Sequence, residues 1–250
     1  MNLPCKNCDQ DFTGNYCNNC GQSTETHRLN FHFLWHDIQH GLFHFDKGVL
    51  YTAKQLLTRP GASIREFLEG KRVKHFKPLS LVIILATIYG LLYHSFHINI
   101  FNEVDLGNSP NEKVIFEKIN EWMSSHFAWA TLITIPFYAL ATLITFRKQG
   151  YNFIEHLVLN SFLAAQRLIV HITTFPLIYI YNGTPSISKI MAIITFIDFA
   201  LMIWGYTQFF NKITKVKSFL LSILSYIIFF ISIFISSMII GILVKLILKP

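Results

Sequence analysis

Four cysteines near the start of the chain have the spacing of a metal site. Cys5 and Cys8 form one C-x-x-C pair, Cys17 and Cys20 form a second, and eight residues separate the pairs. Each pair can place two thiolates on one edge of a tetrahedral metal ion. Four sulfur ligands leave no open coordination position, so the sequence predicts a structural Zn²⁺ site rather than a catalytic one.

Two other interpretations of the cysteines compete with a zinc site. Two disulfides would need an oxidising compartment, whereas the topology derived below places this end of the chain in the cytosol. A thioredoxin-like redox pair would need a βαβ context, which the pattern lacks. We therefore predict a zinc-ribbon-like module over residues 1–26 that folds on metal binding and offers a surface to a protein partner.

Histidines recur at every fourth position in the next segment: His32, His36, His40 and His44. On a helix they would form one face, opposite an apolar face that includes Phe31 and Trp35. A secondary metal site or a pH sensor is one hypothesis, because histidines four residues apart match ligand geometry. The wet face of an amphipathic helix in the headgroup layer is the hypothesis we favour.

Two charged residues fall inside apolar segments. Arg167 and Asp198 would lie at nearly the same depth if their helices are adjacent and antiparallel, so we predict an ion pair between them, with Gln166 and His171 as nearby polar partners. The ion pair would either line a path for a substrate or proton, or fix the register of the two helices. Glu155 and His156 are expected at the interface, where Glu155 would pair with the neighbouring Arg147 or Lys148.

Composition places these residues in a membrane protein. Hydrophobic residues make up 52% of the 250 residues, and charged residues only 14%. The sequence predicts an all-α polytopic membrane protein with a transmembrane bundle over residues 78–250. The five predicted spans are residues 79–96, 127–146, 157–181, 190–210 and 218–248.

Residues 27–77 are predicted to join the module to the bundle as amphipathic interfacial helices. One short helix covers 48–57, the next begins at Pro60, and Gly70 ends it. Six basic residues are candidates for lipid or phosphate contact: Arg59, Arg65, Lys71, Arg72, Lys74 and Lys77. An ordinary anchor on the anionic inner leaflet is the alternative that we prefer for this cluster.

Loop charges favour a topology with the N-terminus in the cytosol and the C-terminus outside. The inner side is marked by three basic groups: the basic run that ends residues 27–77 (the joint), Arg147 with Lys148, and three lysines at 212–217. The loop over 97–126 is acidic. Lys245 and Lys249 at the outer end run against this rule. The polar start of the chain predicts no cleavable signal peptide. The net charge of +7 is explained by contact of the basic residues with anionic lipid headgroups, and no nucleic-acid partner is expected.

One stretch resembles a known family. The segment LLTRPGASIREFLEGKRVKHFKPLSL, the preceding FDKGVLYT and the double C-x-x-C are similar to the domain-of-unknown-function 3667 family. This resemblance covers roughly residues 4–90, and YNFIEHL at 151–157 is similar to a later element of the family. It implies a bacterial multi-pass membrane protein with a zinc-ribbon-like start, and therefore the bacterial inner membrane. It implies no activity.

Three functions are consistent with this pattern. No G-x-S-x-G, P-loop, G-x-G-x-x-G or H-E-x-x-H motif is present, so the sequence favours a protein that is not an enzyme. A non-enzymatic scaffold or regulatory protein with a cytosolic zinc-binding docking module is the first hypothesis. A small transporter or permease subunit that uses the Arg167/Asp198 cleft is the second. A membrane enzyme acting on lipid is the third.

Overall fold

The computed structural model describes residues 3–24, 26, 28–31, 48–98, 118, 121–122 and 125–247. The fold of these residues is mainly helical, with one small antiparallel pair of strands at the start. Strand β1 covers Leu3–Pro4 and pairs with β2, Asp11–Phe12. Phe12 is buried against the cysteines and forms a small core that is separate from that of the helices.

Two short helices follow the cysteine module. Helix α1 covers Gly48–Thr58 and α2 covers Pro60–Glu69. Pro60 occupies the first turn of α2, where its missing N–H costs nothing. Gly70 ends α2 in the left-handed conformation at φ +109°, and the N–H of Lys71 donates to the Glu66 carbonyl. The breaks predicted at the proline and at this glycine are therefore both present.

Five longer helices form the bundle. They are α3 (Pro78–Ser95), α4 (Phe127–Thr145), α5 (Phe153–Ile180), α6 (Ser186–Phe209) and α7 (Lys215–Ile247). All five are long and apolar enough to cross a membrane, and every end lies within four residues of the predicted span. A short 3₁₀ helix, Arg147–Gln149, connects α4 to α5.

Helix α5 is the centre of the bundle. It packs against α3, α4 and α6, while α7 packs against α4 and α6 on the far side. Its buried residues include Leu159, Phe162 and Leu163, but also the polar residues Asn160 and Gln166. Asn160 and Gln166 therefore face protein partners rather than lipid, as expected at membrane depth.

The two short helices are attached to the end of this bundle. Helix α1 packs against α5, and α2 packs against both α5 and α6. Leu56, Ile64 and Phe67 on their apolar faces are at most 2% exposed. The Gln166 side chain donates a 2.8 Å hydrogen bond to the Leu56 carbonyl, which secures the end of α1 from within α5. Protein covers these apolar faces, and the predicted position of the helices in a headgroup layer stays a prediction.

Candidate functional site

The four cysteines converge as the spacing predicts. Their Sγ atoms all lie within 4.8 Å of one another. Cys5 Sγ is 3.5 Å from Cys20 Sγ, and Cys8 Sγ is 3.6 Å from Cys17 Sγ. Four sulfurs at a Zn–S distance of about 2.3 Å have tetrahedral edges of about 3.8 Å. The cluster therefore fits one tetrahedral metal ion, and the thiols are free rather than paired as disulfides.

Two equivalent turns hold the sulfurs. The N–H of Asp9 donates to the Cys5 carbonyl at 2.8 Å, and the N–H of Gly21 donates to the Cys17 carbonyl at the same distance. Each closing residue has positive φ, +60° at Asp9 and +74° at Gly21. Glycine is the residue with the least strain in that region, as predicted for the second turn.

The thiols differ in their surroundings. A backbone hydrogen bond from Gln10 is the main factor that lowers the pKa of Cys8 to about 6, whereas burial raises the pKa of Cys5 to about 11. A metal ligand must be a thiolate, so binding a cation to this set releases protons and is favoured by rising pH. The donor set is that of a thiolate-preferring metal such as Zn²⁺.

The cysteine module docks on the end of α2. The side-chain carbonyl of Gln22 accepts a 3.1 Å hydrogen bond from the backbone N–H of Arg72. At Gly70, an added Cβ would lie 3.0 Å from Lys6 Cδ and 3.1 Å from Thr26 Cβ. Lys6 Nζ also donates to the Thr26 carbonyl at 2.9 Å. A glycine at position 70 therefore both permits the left-handed end of α2 and leaves room for the close approach of the module.

A second contact links the segment after the module to the start of α5. The guanidinium of Arg28 donates to both carboxylate oxygens of Glu155 at 2.8 Å and to the Gly150 carbonyl at 2.7 Å. Glu155 also forms a capping box with Asn152. The partner of Glu155 is therefore Arg28, 127 positions away, and the expected salt bridge to Arg147 or Lys148 was the wrong assignment.

The basic residues of the joint have different environments. Arg59 pairs with Glu66, with Nη1 2.7 Å from Oε1. Arg65 donates to the Gln208 carbonyl and, at 3.0 Å, to the Phe209 carbonyl at the end of α6. Arg72 Nε donates to the carbonyl of Phe67, Lys71 and Lys74 are exposed, and Lys77 is partly exposed. The three arginines thus make contacts within the protein, and lipid or phosphate contact by the cluster stays a prediction.

Helix α2 meets the end of α6 at very short range. The N–H of Gly61 donates to Gln208 Oε1 at 3.2 Å. An added Cβ at Gly61 would lie 2.3 Å from the backbone N of Phe209. Arg65 reaches the same turn, where a cation is favourable because the helix dipole places partial negative charge there. Pro60 begins α2 at this contact, Gly61 leaves the space for the close approach, and Arg65 stabilises it by hydrogen bonds to the end of α6.

Arg167 and Asp198 lie in the wall of one cavity, but they do not pair with each other as predicted, whereas His171 is a polar neighbour as expected. His171 Nε2 is 2.8 Å from Asp198 Oδ2. The guanidinium of Arg167 lies over the ring of Tyr138, with Cζ 5.2 Å from the centroid. Among the described residues, no ion pair joins Arg167 to Asp198 within 4.0 Å. Equal depth along two helices does not fix which faces point at each other. The residue of α5 that meets Asp198 is His171, one turn along the helix from Arg167.

A second polar cluster joins three helices near the start of α5. His156 Nδ1 and Asn160 Nδ2 each lie 3.0 Å from the hydroxyl of Thr142. Tyr206 donates a 2.5 Å hydrogen bond to Asn160 Oδ1. His156 is 1% exposed, so its side chain is enclosed by protein near the start of α5, and its expected depth at the membrane interface stays a prediction. The network fixes α4, α5 and α6 relative to one another.

The histidine row is not among the described residues. His32, His36, His40 and His44 all fall within 32–47, so the hypotheses on metal binding, pH sensing and an amphipathic helix stay predictions.

A comparison with known protein families found a match that covers part of the joint and the start of the bundle. Residues 46–90 match the family described as Protein of unknown function (DUF3667). The match begins two residues before α1 and ends within α3, so it covers the α2–α6 contact residues Gly61 and Arg65. It confirms the resemblance for this segment and carries no activity. No curated protein and no solved structure matched the chain.

Proposed function

We propose that this chain is a non-enzymatic scaffold or regulatory protein of a bacterial inner membrane, whose N-terminal module binds Zn²⁺ and docks a protein partner. The observation that carries the proposal is the attachment of the four-cysteine module to the bundle through Gln22, Thr26 and Arg28. A module that merely trailed from the membrane would need no such contacts.

The attachment couples the metal to the bundle. Four buried or half-buried sulfurs on 22 residues with two short strands form too small a core to fold alone, so the metal supplies the folding energy of the module. Gln22 and Thr26 hold their positions only when the module is folded, and both contact the end of α2. Helix α2 in turn contacts α6 through Gly61 and Arg65. Metal loading or partner binding at the module is thereby transmitted to the spans.

The orientation follows from charge. The basic joint lies beside the start of α3, and Arg147 and Lys148 lie at the same end of the bundle, next to the start of α5. An excess of Lys and Arg at one end is typical of the cytosolic side, where anionic headgroups attract it. We therefore place the module in the cytosol, the acidic 97–126 loop outside, and the C-terminus outside.

The proposal is tested with the full chain in detergent. Cys17→Ser removes one ligand, and Asn18→Ser is the matched control because this neighbouring residue is exposed and carries no sulfur. We expect about one zinc per chain by elemental analysis in the parent and in Asn18→Ser, and a loss in Cys17→Ser. Chemical cross-linking in cells should join the parent and the control to a defined cytosolic protein that Cys17→Ser no longer captures.

Two results would contradict the docking role. One is a zinc-free Cys17→Ser protein with an unchanged cross-linking profile. The other is a cross-linked partner that attaches only to the spans. Either outcome would leave the module without a part in partner binding.

Transport is the second candidate function, and the cavity between α4, α5 and α6 favours it. A cavity at mid-bundle depth with charged residues in its lining is the usual place for a solute site in a membrane transporter. Uptake of labelled solutes into vesicles that contain the purified protein, compared with empty vesicles, tests this candidate directly.

A further inference from the structure

The bundle contains a cavity of about 210 Å³ that the docking role does not use. Its polar lining comes from Arg167 and His171 on α5 and Asp198 on α6, with Thr131 and Thr134 on α4. Phe127 and Leu168 supply apolar surface. At about 30 Å³ for each water molecule in the liquid, the volume is that of roughly seven waters. It is large enough for a small organic solute.

The charges around the cavity have unmet hydrogen-bonding capacity. Arg167 Nε, Asp198 Oδ1 and His171 Nδ1 are buried and have no hydrogen-bond partner. Buried polar atoms at membrane depth are costly unless water or a ligand meets them. Two of these atoms, Arg167 Nε and Asp198 Oδ1, carry opposite charges on side chains that line one cavity, which points to an occupant that supplies an acceptor for the arginine and a donor for the carboxylate.

The separation of the two charges indicates the type of occupant. Arg167 packs over Tyr138, and the other oxygen of Asp198 is held by His171, so each charge is oriented by a protein partner without being neutralised by the other. A lone anion would satisfy Arg167 and leave the Asp198 oxygen unmet, and a lone cation would do the reverse. A solute that carries both charges satisfies both ends and leaves the net charge of the cavity unchanged.

We propose that this cavity binds a small zwitterion of the amino-acid class, with its carboxylate at Arg167 and its ammonium at Asp198. Arg167 supplies a planar donor for the carboxylate. His171 holds the Asp198 carboxylate in place through the other oxygen, Oδ2. Ala130 and Ala164 in the lining leave room for a small side chain. The site is independent of the cysteine module, so it stands or fails separately from the docking role.

The test measures binding to the purified full chain in detergent by calorimetry. The probes are the twenty amino acids, first pooled and then singly, together with propionate and ethylammonium as ligands with one charge each. We expect at least one amino acid to bind, and each single-charge ligand to bind at least about 10-fold more weakly, because one charge-assisted hydrogen bond is lost.

Variants separate the site from general stability. Arg167→Gln and Asp198→Asn should each weaken binding at least about 10-fold. Ala130→Leu fills the cavity without touching a charge, so it should abolish binding in a protein that stays folded even if the charge variants do not. Thr195→Val is the matched control, because this exposed residue lies one turn from Asp198 on α6 and is not part of the lining.

Three results would overturn the proposal. The first is the absence of binding by every amino acid at millimolar concentration. The second is propionate or ethylammonium binding as tightly as the best amino acid, which would make this a site for one charge only. The third is unchanged binding in a folded Ala130→Leu protein, which would place the ligand elsewhere.

Discussion

Replacing Gly61 by alanine tests the contact between α2 and α6. The new Cβ would lie 2.3 Å from the backbone N of Phe209 and 2.4 Å from the backbone carbon of Gln208. Neither atom is at the end of a flexible side chain, so relief requires that α2 move away from α6 by about 1 Å, toward an ordinary contact distance near 3.5 Å. Overpacking of this kind costs about 1–3 kcal/mol.

The movement would also cost hydrogen bonds. Arg65 donates to the Gln208 and Phe209 carbonyls, and the latter bond is already 3.0 Å long. Hydrogen bonds from a charged donor contribute about 1.5–3 kcal/mol. The two effects together give a loss of about 3 kcal/mol or more. For a chain of this size that corresponds to a fall in Tm of roughly 6–12 °C.

Thermal denaturation in detergent, followed by size-exclusion chromatography of the soluble fraction, measures this loss. Gly205→Ala is an intermediate case, because its Cβ meets the movable Cδ2 of Leu163 at 2.4 Å, and it should cost about 1 kcal/mol. Gly241→Ala is the control, because nothing lies within 4 Å of its Cβ. If Gly61→Ala is as stable as Gly241→Ala, the close approach of α2 to α6 is refuted.

The remaining predictions concern charge and pH. Arg28→Ala and Glu155→Ala should each destabilise the protein, and a double-mutant cycle should give a favourable coupling that shrinks at high salt, because the arginine is exposed; additivity would contradict the pairing. Lys71→Ala with Lys74→Ala should weaken binding to anionic vesicles by about 2 kcal/mol in flotation assays, and unchanged flotation would contradict a headgroup role. Burial lowers the pKa of His75 from 6.5 to about 4. The unfolded chain therefore binds a proton at this histidine that the folded one does not, so the contribution of His75 to stability should be constant above pH 6.5 and fall by about 2–3 kcal/mol toward pH 4. His75→Leu should flatten this part of the stability profile, and an unchanged slope would assign it to another group.

Local patterns in the sequence predicted the local features well. The spacing of the cysteines was sufficient to predict their convergence, because C-x-x-C turns depend on few residues. Pro60 and Gly70 gave the ends of α2 because each acts on its own backbone. The five long apolar helices follow from composition and length alone.

Long-range contacts were the part that sequence reasoning missed. Arg28 contacts Glu155 across 127 positions, and Gly61 meets Gln208 across 147. Nothing in a single sequence marks which arginine reaches which carboxylate. For Asp198 the sequence named His171 as a polar neighbour, since it lies four residues beyond Arg167 and one helical turn along the same face. Residue counts along two helices give depth, but they do not give the rotation of each helix about its axis, which decides whether Asp198 meets Arg167 or His171.

Hydrogen exchange of the full chain in nanodiscs, with and without a zinc chelator, is the most direct test of the central claim that the metal-loaded module is docked on the joint. We predict that residues 66–72 at the end of α2 and residues 150–156 at the start of α5 are protected in the zinc-loaded protein. Chelation should remove that protection while the α5 core around 159–168 stays protected. Equal exchange at 66–72 in the two states, after zinc loss has been verified by elemental analysis, would contradict the account.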